Sequence, residues 1–98
     1  MAIDIIIQNQ VHGKVEVISG APAVTLSDIV LQAPVGSMLR GIHQYADSMF
    51  NSYQLQFFLE ELAGLQPKDS REEELFSVLR RAADVAIRNH GYLWFSGD

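Results

Sequence analysis

Ile3, Ile5, Ile6 and Ile7 place four β-branched residues within five positions near the start of the chain. So dense an apolar run predicts a largely buried strand. Residues 14–19 alternate instead, Val15 and Val17 interleaving with Lys14 and Glu16, which is the period of a strand with one wet face. Between them His12-Gly13 is a turn signal, because glycine accepts positive φ without steric cost. The two strands therefore predict a hairpin. A two-residue loop would set Val15 and Val17 against Gln10 and Gln8. A bulge or a three-residue loop removes that conflict.

Gly20-Ala21-Pro22-Ala23 breaks the pattern. Residues 25–32, with Ile29, Val30 and Leu31, read as a third strand; a short helix capped by Ser27 is the other option. After the break at Pro34-Val35-Gly36-Ser37, residues 38–46 read as an ordered loop carrying Arg40, Gly41, His43 and Tyr45. A helix follows, with Asp47 or Ser48 as N-cap, running to Gly64 or Leu65 ahead of Pro67. A second helix opens at Ser70-Arg71-Glu72-Glu73, which has the S-x-x-E form of a capping box, and Glu72, Glu73 and Glu74 suit its positive end. Leu75, Phe76, Val78, Leu79, Ala82, Ala83, Val85, Ala86 and Ile87 share one broad arc of it, whereas Glu73, Ser77, Arg80, Arg81, Asp84 and Arg88 share the other. Asn89-His90-Gly91 closes it, with Gly91 as the left-handed residue. Tyr92-Leu93-Trp94-Phe95 is a final strand.

The order β-β-β-α-α-β predicts an α+β domain: a mainly antiparallel sheet of three to four short strands, covered on one face by an antiparallel two-helix hairpin. A length of 98 residues fits one domain spanning residues 1–98. A composition 48% hydrophobic and 19% charged suits a folded core. The absence of cysteine excludes disulfides and thiolate metal sites and fits a cytoplasmic location. The start Met1-Ala2-Ile3-Asp4 carries no basic leader pattern, and no apolar run is long enough to span a bilayer. The net charge of −5 argues against a nucleic-acid partner and is compatible with a basic protein.

The first predicted helix carries the candidate chemistry. Asn51, Gln54 and Glu61 fall within an arc otherwise built from Phe50, Tyr53, Leu55, Phe57, Phe58, Leu59, Leu62 and Leu65, and Asp47 points the same way if it lies in the first turn. Unpaired polar groups on a buried surface cost on the order of 1–3 kcal/mol each. Two readings follow: these groups hold the preceding loop, or they line a cleft for a ligand or partner. His43, Tyr45 and Asp47 alternate just before this helix and would share one side of an extended loop. His43 with Asp47 is a conceivable acid–base pair, although no catalytic, metal-binding or nucleotide-binding motif accompanies it. No cofactor or metal is expected. His90 reads as a capping or core residue, and His12 as a turn residue.

Leu39-Arg40-Gly41-Ile42, then Tyr45, Asp47, Phe50-Asn51 and Gln54, together with Tyr92-Leu93-Trp94-Phe95-Ser96-Gly97-Asp98, resemble a largely uncharacterised family of small bacterial proteins. Its pattern is L-x-G-I-D-x-Y-G-D-T-x-F-N-x-x-Q followed by a C-terminal Y-L-x-F-x-G-D. The chain departs from it at His43, where the pattern has Asp, and at Ala46, where it has Gly. The resemblance implies that Gly41, Tyr45, Asp47, Asn51, Gln54, Gly97 and Asp98 form one constellation, with the tail meeting the loop before the first helix. In general character the chain is similar to immunity proteins. The leading expectation is thus a non-catalytic protein-binding domain of immunity or antitoxin type that neutralises a basic toxin, with His43, Tyr45, Asp47, Asn51, Gln54, Glu61 and Asp98 as candidate contacts. The alternative is a small-molecule-binding or enzymatic domain with a polar pocket at the start of that helix. A plainer option is a homodimer through the edge of the Trp94 strand.

Overall fold

The computed structural model describes residues 1–97. Strands β1 (Asp4–Gln8) and β2 (Lys14–Ile18) are followed by helix α1 (Ala21–Ile29), which runs on as a 3-10 turn (Val30–Gln32). After the loop come β3 (Asp47–Asn51), α2 (Ser52–Ala63), α3 (Ser70–Arg88) and β4 (Tyr92–Ser96). The sheet order is β2-β1-β4-β3 and all three pairings are antiparallel. The α+β class, the mainly antiparallel sheet and the α2–α3 hairpin on one face agree with the sequence reading. The chain order does not: the third strand is residues 47–51, and residues 25–32 are helical.

Both differences have a local cause. Pro22 sits in the first turn of α1, where its missing N–H costs no hydrogen bond. The proline that reads as a breaker is therefore a starter. The helix buries Ala23, Leu26 and Ile29, and the Thr25 hydroxyl donates back to the Ala21 carbonyl at 3.0 Å. The N-cap of α2 is Asn51 rather than Asp47 or Ser48, which leaves residues 47–51 free to pair with β4. In the same way Asp69, one residue before Ser70, caps α3 by accepting from the Glu72 N–H at 2.9 Å.

The β1–β2 register shifts between Ile7 and Gln8, so a bulge resolves the hairpin conflict. The left-handed turn residue there is His12 (φ 64°), not Gly13. Asn9 organises the loop, its side-chain oxygen accepting from Val11 and Gly13. At the end of α3 the left-handed residue is the exposed His90 (φ 53°), not Gly91. Gly91 N–H donates to Ala86 and His90 N–H to Ile87, the pair of bonds of a Schellman motif.

Ile5, Ile7, Leu93 and Phe95 point from the central strands to the helices and are fully buried, with Leu26, Leu55, Phe58, Leu62, Leu75 and Leu79 against them. Phe50, Phe58 and Phe95 pack as a tilted aromatic cluster with centroids 5.2–6.3 Å apart. Arg81 of α3 grips Glu16 of β2 through two bonds, of 3.1 and 2.9 Å. Those bonds hold the Glu16 carboxyl below its usual range and raise Arg81 above its own. Among the described residues no helix is long and apolar enough to cross a membrane.

Candidate functional site

The helices cover one face of the sheet; the other carries no helix. Alternation along each strand sends Asp4, Ile6 and Gln8, Tyr92, Trp94 and Ser96, and Asp47, Met49 and Asn51 to this open face. Cross-strand pairing lines up Val17, Ile6, Trp94 and Met49 as one apolar row spanning all four strands. Val17 is 49% exposed and Met49 39%, and Ile6 and Trp94 are half-buried between them. A solvated sheet face ordinarily carries polar side chains, so an apolar row here is the departure that needs a reason.

Polar groups flank the row on both sides. On one side Asp4, Ser96 and Asp47 are paired across three strands, which puts the two carboxylates roughly 10 Å apart. Neither joins any of the ion pairs of the described residues. On the other side His12 folds back from the hairpin loop and stacks on Tyr92, with centroids 4.1 Å apart and planes 12° off parallel. Its Nδ1 lies 2.9 Å from Gln8 Oε1, which accounts for the burial of Gln8. His12 is thus part of this face rather than a turn residue alone.

The six candidate residues that are described, His43, Tyr45, Asp47, Asn51, Gln54 and Glu61, do not form a single constellation. Asn51 and Gln54 satisfy each other: Gln54 N–H donates to Asn51 Oδ1 at 2.8 Å, and Asn51 N–H to Gln54 Oε1 at 2.9 Å. This reciprocal box starts α2, and both residues are exposed rather than set in a buried arc. It also withdraws one backbone donor from the outer edge of β3, where an unpaired edge would otherwise invite pairing. Glu61, half-buried, accepts from Met38 N–H at 2.8 Å and Leu39 N–H at 2.9 Å, so it holds the loop that leads into β3. Asp47 lies at the opposite end of β3 from Asn51, roughly 13 Å away along an extended strand.

His43 and Tyr45 do come together. Tyr45 N–H donates to His43 Nδ1 at 3.3 Å, and His43 N–H donates to Ser48 Oγ at 3.0 Å. Among the described residues His43 makes no ion pair with Asp47, so the acid–base pair is not formed. Both residues line a shallow cavity of about 330 Å³ with Leu31, Arg40, Ile42 and Gln44. The tail meets this loop: Gly97 N–H donates to Ala46 O at 3.1 Å. A Cβ on Gly97 would fall 2.5 Å from the Gln44 carbonyl oxygen, so only glycine fits there. Asp98 lies outside the described residues. β4 is paired on both sides, by β1 and β3, so Trp94 offers a face and not an edge to a second copy.

Val17, Ile6 and Met49 were not among the expected contacts. Their shared row depends on which strands are neighbours, and Met49 sits in a strand that sequence places in a helix. The all-large run of residues 92–95 was the available signal, since it leaves β4 apolar on both faces. Comparison with family profiles, with curated proteins and with solved structures gives no match to this chain.

Proposed function

We propose that the chain is a non-catalytic protein-binding domain whose contact surface is the open face of the sheet. The row Val17–Ile6–Trp94–Met49, left uncovered by every helix, is the observation that supports it. Exposed contiguous apolar surface rimmed by polar groups is the usual character of an interaction site, and tryptophan and methionine are enriched there. Asp4 and Asp47 at its border, on a chain of net charge −5, favour a partner that presents an apolar strip beside basic side chains. The most concrete form of the proposal is an immunity-type protein occluding a basic toxin, and the resemblance drawn from the sequence supports the same direction.

The test is affinity capture from the native cells with the intact chain and with Met49→Lys, after circular dichroism has confirmed that both are folded. One stoichiometric basic partner, released by salt and lost in the variant, is the expected result. Equal capture by the variant would remove the sheet face from the mechanism. The cavity at His43 and Tyr45 favours a second reading, small-molecule binding, to which no catalytic step is assigned.

A further inference from the structure

Acidic side chains outnumber basic ones twelve to seven, yet no carboxylate of the described residues lines the cavity formed by Leu31, Arg40, Ile42, His43, Gln44 and Tyr45. Among the described residues Arg40 is its only arginine or lysine. The ion pairs of the described residues use Arg71, Arg81 and Arg88, and Arg40 is in none of them. Its guanidinium is anchored by one bond, Nη1–H to the Ala33 carbonyl at 3.1 Å, within a half-buried side chain. A guanidinium has five N–H donors in a planar fork, so one such anchor leaves four, enough for a paired contact with a carboxylate.

The neighbouring groups have the same polarity. His43 Nδ1 accepts the Tyr45 N–H, which sets the neutral ring's proton on Nε2 and makes that nitrogen a donor. Among the described residues the Tyr45 hydroxyl meets only the Met1 sulfur, at 3.8 Å, a weak acceptor. Leu31, 58% exposed, and Ile42 supply apolar wall. At about 330 Å³ the cavity reaches the lower end of the range that ligand sites occupy. A second concavity, between the 3-10 turn and α3, is only about 140 Å³, and its ammonium, Lys68, is bonded to Gln32 with Glu72 beside it.

We propose that this cavity binds a small organic carboxylate carrying a flat apolar group, the carboxylate on Arg40 and the apolar part against Leu31 and Tyr45. The proposal deepens the small-molecule reading and is independent of the sheet face.

The experiment is a two-dimensional amide NMR titration of the full chain with benzoate, using benzylamine and benzamide as controls. Benzoate should give saturable shifts confined to the amides of residues 31 and 40–45. Arg40→Gln should weaken binding about tenfold or more, as expected for loss of a charge-assisted pair. Leu31→Asp, an exposed substitution that leaves the Arg40 anchor intact, should weaken it as well. Equal binding of benzylamine, shifts centred elsewhere, or unchanged affinity in Leu31→Asp would each overturn the proposal. Any of these would leave the sheet-face reading intact, because Met49→Lys tests that separately.

Discussion

Glu61 and Leu39, twenty-two positions apart, are joined by a 2.9 Å bond from the Leu39 N–H to a carboxylate oxygen on α2. The second oxygen of Glu61 takes the neighbouring Met38 N–H at 2.8 Å. One side chain therefore satisfies two consecutive amides of a loop that has no ladder of its own. Leu39, 3% exposed, is thereby pinned into the core with Ile42.

Removing that clamp leaves two half-buried N–H groups without an acceptor. Glu61→Ala should lose about 2–4 kcal/mol of stability in urea denaturation, since hydrogen bonds to a charged group count for more than neutral ones. Glu61→Gln keeps one acceptor oxygen and should lose roughly half as much. Faster hydrogen exchange at Met38 and Leu39, with the α3 amides unchanged, would locate the loss in the loop. An unaltered urea midpoint for Glu61→Ala would show that the carboxylate contributes nothing there.

Adjacent residues at the end of α3 should respond in opposite directions. A Cβ on Gly91 would clash with the Gln8 carbonyl oxygen, in backbone that cannot move aside. Gly91→Ala should therefore cost more than about 3 kcal/mol, among the large effects of single substitutions. His90 instead holds a left-handed φ of 53° at the position where glycine is usual. His90→Gly should stabilise the protein by roughly 0.5–1 kcal/mol, the αL penalty outweighing glycine's entropy. Thermal unfolding of both variants distinguishes this assignment from the sequence expectation, in which Gly91 carries the positive φ.

Those two residues show what the sequence makes legible. The helix end is visible in Asn89-His90-Gly91, but whether Gly91 is there for φ or for a close approach depends on Gln8, eighty-three positions away. Helices α2 and α3 follow from local 3.6-residue periodicity, and β1, β2 and β4 from apolar or alternating runs. Residues 25–32 misled because a short apolar run suits a strand or a helix equally, and a proline near its start marks either a break or a first turn. Residues 47–51 misled because Asp47, Ser48 and Asn51 are all competent caps; pairing with β4 decides among them. The candidate site suffered the same limit. Asn51, Gln54 and Glu61 were recognisable as polar groups needing partners, and their partners turned out to be backbone and each other. The open-face row needs the strand order, which no local pattern contains.

The Glu16–Arg81 pair gives a pH dependence of fixed sign. Because Arg81 holds the Glu16 carboxyl below its unfolded value, the pair's contribution is present above the unfolded carboxylate range and lost as pH falls through the folded value. The Arg81 and Glu16 side chains are 50% and 42% exposed, so the contribution belongs with surface pairs, about 0.2–1 kcal/mol. Glu16→Gln should thus be less stable than the parent at pH 7 by about that amount, and the difference should vanish on acidification. Urea titrations of both proteins across that range check it; a gap that widened toward acid would reverse the sign.

The two faces of the sheet should differ most sharply along neighbouring strands. Phe95 is fully buried against Phe50 and Phe58, and Phe95→Ala should cost about 3–5 kcal/mol. Met49, 39% exposed on the opposite face, has no such packing to lose, and Met49→Lys should stay within about 0.5 kcal/mol of the parent. Trp94, the single tryptophan, reports on the same face. In the free chain its emission should be accessible to acrylamide, and partner binding should shield it. A loss above about 1 kcal/mol in Met49→Lys would mean that the row is already packed within the folded protein, since exposed positions rarely reach that value. A stable Met49→Lys that no longer shields Trp94 would instead separate binding from folding, as a surface held open for a partner requires.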